Sequence, residues 1–157
     1  MERIDNLDKK ILNIVMRNAR IASKDVAVDC GVSRAAIHQR IQRLIETNVI
    51  TGSGYTVDPS ALGYNTCTYI GVSLQKGSMY RDVVKELEKI PDVVECHYTT
   101  GPYSMLLKVY VQDNKHLMEL LNDKILIIPG VTETETLISL EQSINRQIDI
   151  PLDPYES

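Results

Sequence analysis

Side chains suited to pairing with nucleic-acid bases recur at helical spacing between residues 33 and 43, which read Ser-Arg-Ala-Ala-Ile-His-Gln-Arg-Ile-Gln-Arg. The donor pattern of arginine matches guanine, and the donor and acceptor of glutamine match adenine. For base-edge contacts we predict Arg34, Ala35, His38 and Gln39. For phosphate contacts or for positioning the helix we predict Ser33, Arg40 and Arg43.

Each of these residues also has a purely structural interpretation. Ser33 can cap a helix whatever else it contacts. Arg40 can form a structural salt bridge, and an exposed basic helix face is often only solvated. A single histidine on an exposed face, His38, does not make a pH switch. The helix as a whole is therefore a stronger prediction of DNA binding than any one of its residues.

Three short helices are predicted to position these side chains. The first runs through residues 7–16 with Asp5 as its cap. The second has Ser23 as its predicted cap and ends at Gly31, where glycine tolerates a left-handed turn. The third runs from Arg34 to about Glu46. Its predicted buried stripe consists of Ile37, Ile41, Leu44 and Ile45.

Residues 49–57 have β-rich ends around Gly-Ser-Gly, which predicts a small hairpin, or wing, after the third helix. Thr51, Ser53 and Tyr55 could contact phosphate or sugar there, although a plain surface hairpin is an equal alternative. The predicted boundaries are a winged helix-turn-helix DNA-binding domain at 1–58, a linker at 59–65, a regulatory and oligomerisation domain at 66–142, and a tail at 143–157.

The second half of the chain predicts the order β-α-β-β-α-β. The predicted elements are strands at 66–75, 93–100, 103–112 and 131–141, with helices at 78–90 and 114–127. This order is typical of a ferredoxin-like α+β sandwich, in which helices cover one face of an antiparallel sheet. Apolar strand residues such as Tyr69, Met105 and Leu107 would leave apolar surface in water, so we expect the other face to pair with a second copy of the chain.

Composition narrows the classes of function. The net charge is −4, yet residues 1–52 carry nine Lys or Arg against six acids, so only this part favours phosphate. No apolar run approaches the length needed to span a membrane, and no export signal is evident. We therefore expect a cytoplasmic protein without membrane association. The three cysteines, Cys30, Cys67 and Cys96, lack metal-ligand spacing, so neither a metal nor a cofactor is expected.

Two other classes of function are alternatives to sequence-specific DNA binding. An enzyme is disfavoured because His97 and His116 lack an obvious nucleophile and base, and because no phosphate-binding glycine loop is present. An architectural protein that organises DNA without an effector is the second alternative, and it would bind DNA in a salt-dependent but sequence-indifferent way.

Several motifs together resemble the Lrp/AsnC (leucine-responsive, or feast/famine) family of transcriptional regulators across nearly the whole chain. Their order and spacing make the resemblance specific. They lie at residues 7–12, 19–21, 32–44, 49–52, Gly101 and 129–136.

The resemblance implies DNA-binding dimers that join into tetramers or octamers, with an amino acid or related metabolite bound between dimers. The effector-binding positions that it implies are Thr100, Gly101, Tyr103, Ser104, Thr134 and Thr136. The family commonly has an acid where Ser104 stands, and a hydroxyl offers an ammonium group only a neutral hydrogen bond. Strand threonines are also common for purely structural reasons.

Overall fold

The computed structural model describes residues 4–155 and divides the chain into two compact units. Residues up to 56 and from 144 onward form the helical unit, and residues 57–143 form the sheet unit. Residues 1–3 of the predicted DNA-binding domain and 156–157 of the predicted tail lie outside the described residues.

The helical unit contains α1 (Asn6–Val15), α2 (Ser23–Cys30) and α3 (Arg34–Glu46). Asp5 caps α1 and forms a reciprocal capping box with Asp8, and Ser33 caps α3, as predicted. Gly31 ends α2 with φ +68°, which confirms the predicted left-handed turn. The core between the helices consists of Ile11, Val26, Ala27 and Ile37.

Two local predictions in this unit were wrong. Ser23 is the first residue of α2 rather than its cap, because Ala22 occupies the cap position and makes no side-chain hydrogen bond. Ile45 is 48% exposed, whereas Ile37 and Leu44 are fully buried. The buried stripe of α3 is therefore narrower than its apolar residues suggest, because the two helices packed against α3 cover only part of its circumference.

The predicted hairpin at 49–57 is absent from the structure. The N–H groups of Val49 and Ile50 both donate to the Leu44 carbonyl at the end of α3, at 2.9 Å, so the would-be first strand is held by the helix. Residues 51–58 are exposed and form no strand. An isolated hairpin without a packed face is at best marginally stable, and here it has no such face. Within this segment the Tyr55 ring lies 4.3 Å from the Arg20 guanidinium.

The sheet unit contains β1 (Thr66–Leu74), α4 (Tyr80–Leu87), β2 (Val93–Tyr98), β3 (Met105–Val111), α5 (Asn114–Glu119) and β4 (Val131–Ile138). The strand order is β2-β3-β1-β4 with every pair antiparallel, which confirms the predicted α+β sandwich. The helix predicted at 114–127 consists of two parts in the structure. The α-helix α5 is followed directly by a π-helical segment, Leu120–Ile125.

The two faces of the sheet differ in burial. Ile70 and Val72 of β1 and Leu107 and Val109 of β3 are fully buried in the main core with residues of α4, α5 and the π-helical segment. Met105 and Leu107, which the sequence placed among residues needing a second copy, belong to this core. The opposite face carries Tyr69, Gly71 and Ser73 of β1, because successive strand residues alternate between faces.

The last described residues belong to the helical unit, where they contact α1. The Asn6 amide exchanges two hydrogen bonds with the backbone of Asp153, and Asn13 donates to the Ile150 carbonyl. The C-terminal segment thus has a defined place on the helical unit.

Candidate nucleic-acid interface and effector cavity

The exposed surface of α3 brings together the residues predicted to contact bases. Arg34, Ala35, His38 and Gln39 are all exposed, and their spacing places them on one helix face. Ser33 precedes them, and its hydroxyl accepts the Ala36 N–H at 3.2 Å. The cap fixes where the helix begins, and therefore where these four side chains project.

Arg40 and Arg43 point instead toward α1. Arg40 donates to both Asp5 and Asp8, and Arg43 donates to Asp8. Asp8 is completely buried, and its carboxylate also accepts the Asp5 N–H at 3.1 Å. The sequence had left open whether Arg40 contacts phosphate or forms a salt bridge, and the structure places it in a salt bridge.

The contacts between Asp5 and Arg40 favour the charged forms of both side chains. Burial alone would raise the pKa of Asp5, but the hydrogen bonds from Arg40 and from the Asp8 N–H outweigh it and lower that pKa below its ordinary value. The same contacts raise the pKa of Arg40. Both arginines are about one-third exposed at the side chain, so the pairs join α3 to α1 while their outer edges reach the surface.

A cavity of about 580 Å³ opens in the sheet unit beside the β2–β3 hairpin. Its lining consists of Ser73, Pro102, Tyr103, Leu126, Glu133, Thr134 and Glu135. Of the predicted effector-binding residues, Tyr103 and Thr134 line this cavity. Thr100, Gly101, Ser104 and Thr136 are not among its lining residues.

Tyr103 is held flat across β1. A Cβ added at Gly71 would lie 2.5 Å from the Tyr103 Cγ atom, so only glycine at position 71 permits this placement of the ring. The Tyr103 hydroxyl donates to Glu135 Oε2 at 2.6 Å. This bond and the negative charge of Glu135 raise the pKa of Tyr103, because ionisation would place a phenolate beside a carboxylate.

Ser104 forms hydrogen bonds with backbone groups of neighbouring segments. Its hydroxyl accepts the Leu74 N–H at 3.2 Å, its own N–H donates to the Val72 carbonyl, and its carbonyl accepts the Thr99 N–H. These bonds tie the hairpin to β1. The hydroxyl thus supports the sheet, and Ser104 is not among the residues that line the cavity.

The carboxylates of the cavity come from Glu133 and Glu135, which the sequence analysis missed. They alternate with threonines in the run from Thr132 to Thr136, so the period of two separates a glutamate face from a threonine face. Gly71 pairs with Glu135, and Ser73 pairs with Glu133, on the face opposite the core. The alternation was visible in the sequence, but only the pairing with β1 shows which face is open.

Other chemistry-bearing groups form surface pairs. Lys108 and His97 both contact Glu95, and the Lys108 bond lowers the Glu95 pKa more than its partial burial raises it. Burial raises the pKa of the Cys96 thiol. In the described part of the chain, no three His, Cys, Asp or Glu side chains are placed to hold a metal ion. No helix there is long and apolar enough to cross a membrane.

Comparison with known proteins gives matches over both units. Residues 4–45 match the model of the AsnC-type helix-turn-helix domain, and residues 67–148 match that of the Lrp/AsnC ligand binding domain. The regulatory protein AsnC of Haemophilus influenzae is 39% identical over 148 residues, which cover 94% of this chain and 99% of the relative. The chain belongs to the Lrp/AsnC family of transcriptional regulators.

Solved structures of the family agree with the fold. The structure of Escherichia coli AsnC matches with a TM-score of 0.90 and 38% identity, covering 94% of this regulator and 99% of that chain. The feast or famine regulatory protein from M. tuberculosis, complexed with L-methionine, matches with a TM-score of 0.87 and 25% identity, covering 95% and 100%. This Lrp/AsnC regulator thus combines a helix-turn-helix with a ligand-binding domain.

Replacing Asp8 with Asn should destabilise the helical unit by about 2 to 4 kcal/mol, because two arginines lose their buried ionic acceptor. Urea unfolding at equal protomer concentrations measures the change. The control is Asp25→Asn, which alters an exposed acid in the first turn of α2 and should cost no more than about 0.5 kcal/mol. Equal effects of the two substitutions would contradict a central role for Asp8.

Replacing Glu135 with Gln should lower the pKa of Tyr103 toward the ordinary tyrosine value of about 10, since the neighbouring negative charge is removed. NMR titration of ring-labelled tyrosine measures it, with the Tyr103 signal assigned by Tyr103→Phe. Glu133→Gln, which removes another carboxylate from the cavity lining, is the matched control and should shift the Tyr103 pKa less. A larger shift for the control would place the Tyr103 hydroxyl elsewhere.

Proposed function

We propose that this Lrp/AsnC regulator recognises its operators through Arg34, Ala35, His38 and Gln39 on α3. The observation that carries the proposal is their joint exposure on one face of a capped helix whose opposite face is buried. Arginine and glutamine side chains at the start of such a helix can pair with base edges in the major groove. Ala35 allows close approach of the helix and offers apolar contact to a thymine methyl group.

Ser33, Arg40 and Arg43 support recognition mainly by positioning. Ser33 fixes the helix start, and the two arginines fix the orientation of α3 against α1 through Asp8. Phosphate contact remains compatible with this role, because the side chains of Arg40 and Arg43 are both partly exposed. Their substitution should therefore affect both stability and DNA binding.

The regulator acts by binding rather than by catalysis, as a cytoplasmic homo-oligomer whose dimers present two recognition helices. Half-sites are then separated by about 34 Å or a multiple of it. Assembly into tetramers or octamers would let one particle contact several half-sites and bend or bridge the DNA between them. The relatives named for transcriptional regulation support this function.

The effector of this regulator is an amino acid that binds at the cavity beside Tyr103. The M. tuberculosis relative complexed with L-methionine supports this class of ligand. Glu133 and Glu135 provide negative charge for the ammonium group that Ser104 does not provide. Thr134 lines the cavity, and Leu126 and the Tyr103 ring contribute apolar surface for a side chain. Thr100, Gly101 and Thr136 are retained as outer positions of this site.

Single substitutions of Arg34 or Gln39 by Ala should each weaken operator binding by about 1 to 3 kcal/mol, or roughly 5- to 150-fold, through loss of a base contact. An operator selected from random DNA supplies the probe, and fluorescence anisotropy at fixed salt measures affinity. Unrelated DNA should be bound with little change, because base contacts specify sequence and phosphate contacts do not.

The matched control is Arg81→Ala, which removes an exposed arginine from α4 in the sheet unit. It should leave operator affinity within about twofold, since Arg81 is not on the helix proposed to contact bases and exposed charges are screened by salt. Unchanged protection of the same operator by the combined Arg34, His38 and Gln39 alanine variant would disprove the assignment of α3.

An amino-acid effector should change the assembly mass of the regulator measured by light scattering across the twenty amino acids. The expected coupling between effector binding and assembly is about 1 to 3 kcal/mol. Glu135→Gln should weaken the change in assembly mass. Glu95→Gln should preserve it, because Glu95 lies on β2, the edge strand opposite β4. An unchanged mass with every amino acid would favour an effector-independent protein that organises DNA.

A further inference from the structure

Two asparagines on α1 contact one short segment near the end of the chain. The Asn6 side chain donates to the Asp153 carbonyl and accepts the Asp153 N–H, both at 2.7 Å. The Asn13 side chain donates to the Ile150 carbonyl at 2.9 Å. All four residues are partly buried. An amide that pairs with both the N–H and the C=O of one residue mimics the pairing between strands.

The spacing of the asparagines matches an extended chain. Residues seven apart on a helix share a face and are about 10.5 Å apart along its axis. Residues 150 and 153, in an extended conformation, are about 10 Å apart. The segment therefore runs antiparallel to α1, with both of its contact points in register with an asparagine.

Two prolines restrict the backbone of the segment to the extended conformation that it has in this contact. Ile150 precedes Pro151, and Asp153 precedes Pro154. A residue before proline is restricted to extended backbone, so the two residues that meet the asparagines are the two whose conformation is already limited. Less conformational entropy is then lost when the segment binds α1. The Asp153 side chain further accepts the Tyr155 N–H at 2.9 Å, which turns the chain after the contact.

We propose that the Asn6 and Asn13 face of α1 is a binding site for an extended peptide, and that residues 150–153 of the same chain are its occupant. The occupant is identified by the hydrogen bonds themselves. Residues 149–155 lie beyond the range that matches the ligand-binding domain model, which ends at residue 148.

The chain connects the two units twice, and the bound segment lies after the second connection. The chain leaves the helical unit once before β1 and returns to it after β4, where residues 144 onward rejoin that unit. Asn6 lies in the same turn of α1 as Asp8, the acceptor of Arg40 and Arg43. The bound segment therefore links β4, which carries Glu133 and Glu135, to the turn of α1 that orients the DNA-binding helix.

Hydrogen exchange of the Asp153 amide in the intact oligomer tests the proposal, read by mass spectrometry with single-residue fragmentation. The reference is a synthetic peptide of residues 146–155. We expect exchange in the wild-type protein at least about tenfold slower than in the peptide, because the N–H is bonded to Asn6. Asn6→Ala should abolish this protection, and Asn13→Ala should reduce it although Asn13 does not touch Asp153.

Lys10→Ala is the matched control, since it truncates an exposed side chain of the same helix, and it should leave the protection unchanged. Exchange at the peptide rate in the wild-type protein would overturn the proposal, as would full protection in both asparagine variants. Oligomers that mix Asn6→Ala chains with excess isotope-labelled wild-type chains identify the occupant. Protection regained by the variant's Asp153 would show that the segment binds a neighbouring copy, which would overturn the same-chain assignment.

Discussion

The ion pairs of the buried Asp8 carboxylate are the interactions on which the exposed face of α3 depends. A charge with no exposure to water is tolerated only when it is paired, and here Arg40, Arg43 and the Asp5 N–H provide the pairing. Because both arginines belong to α3, the network sets the rotation of that helix about its own axis. The exposed face that remains is the one carrying Arg34, His38 and Gln39. Ionic pairing inside the unit thus decides which side chains of α3 remain exposed.

In the sheet unit, steric fit rather than ionic pairing fixes the position of the Tyr103 ring. Gly71 leaves space for the Tyr103 ring to lie across β1, and the ring then reaches Glu135 on the neighbouring strand. Ser104 holds the hairpin that carries Tyr103 by bonding to the backbone of β1. The cavity is therefore shaped by a missing side chain and by backbone hydrogen bonds. Its charge comes from the two glutamates of β4, which makes it acidic without a contribution from the hairpin.

Local signals predicted much of this arrangement. Capping residues and apolar periodicity indicated α1 and α3 and their ends, because both act within one or two turns of chain. The order of strands and helices in the second half indicated the antiparallel sheet. The segment after α3 was predicted wrongly, since its β-rich composition was outweighed by the hydrogen bonds of Val49 and Ile50 to Leu44. The exposure of Ile45 was also missed, because an apolar stripe does not reveal how much of it its neighbours cover.

The sequence by itself determined the two modules, the family and the residues of α3 that face outward, because helical periodicity and motif spacing are properties of neighbouring residues. Tertiary structure decided the partners of Arg40 and Arg43, the open face of β4 and the contact of residues 150–153 with α1. Each of these joins residues more than 30 positions apart in the chain. Such pairings depend on how elements pack and register against one another, and no spacing within a single element specifies them.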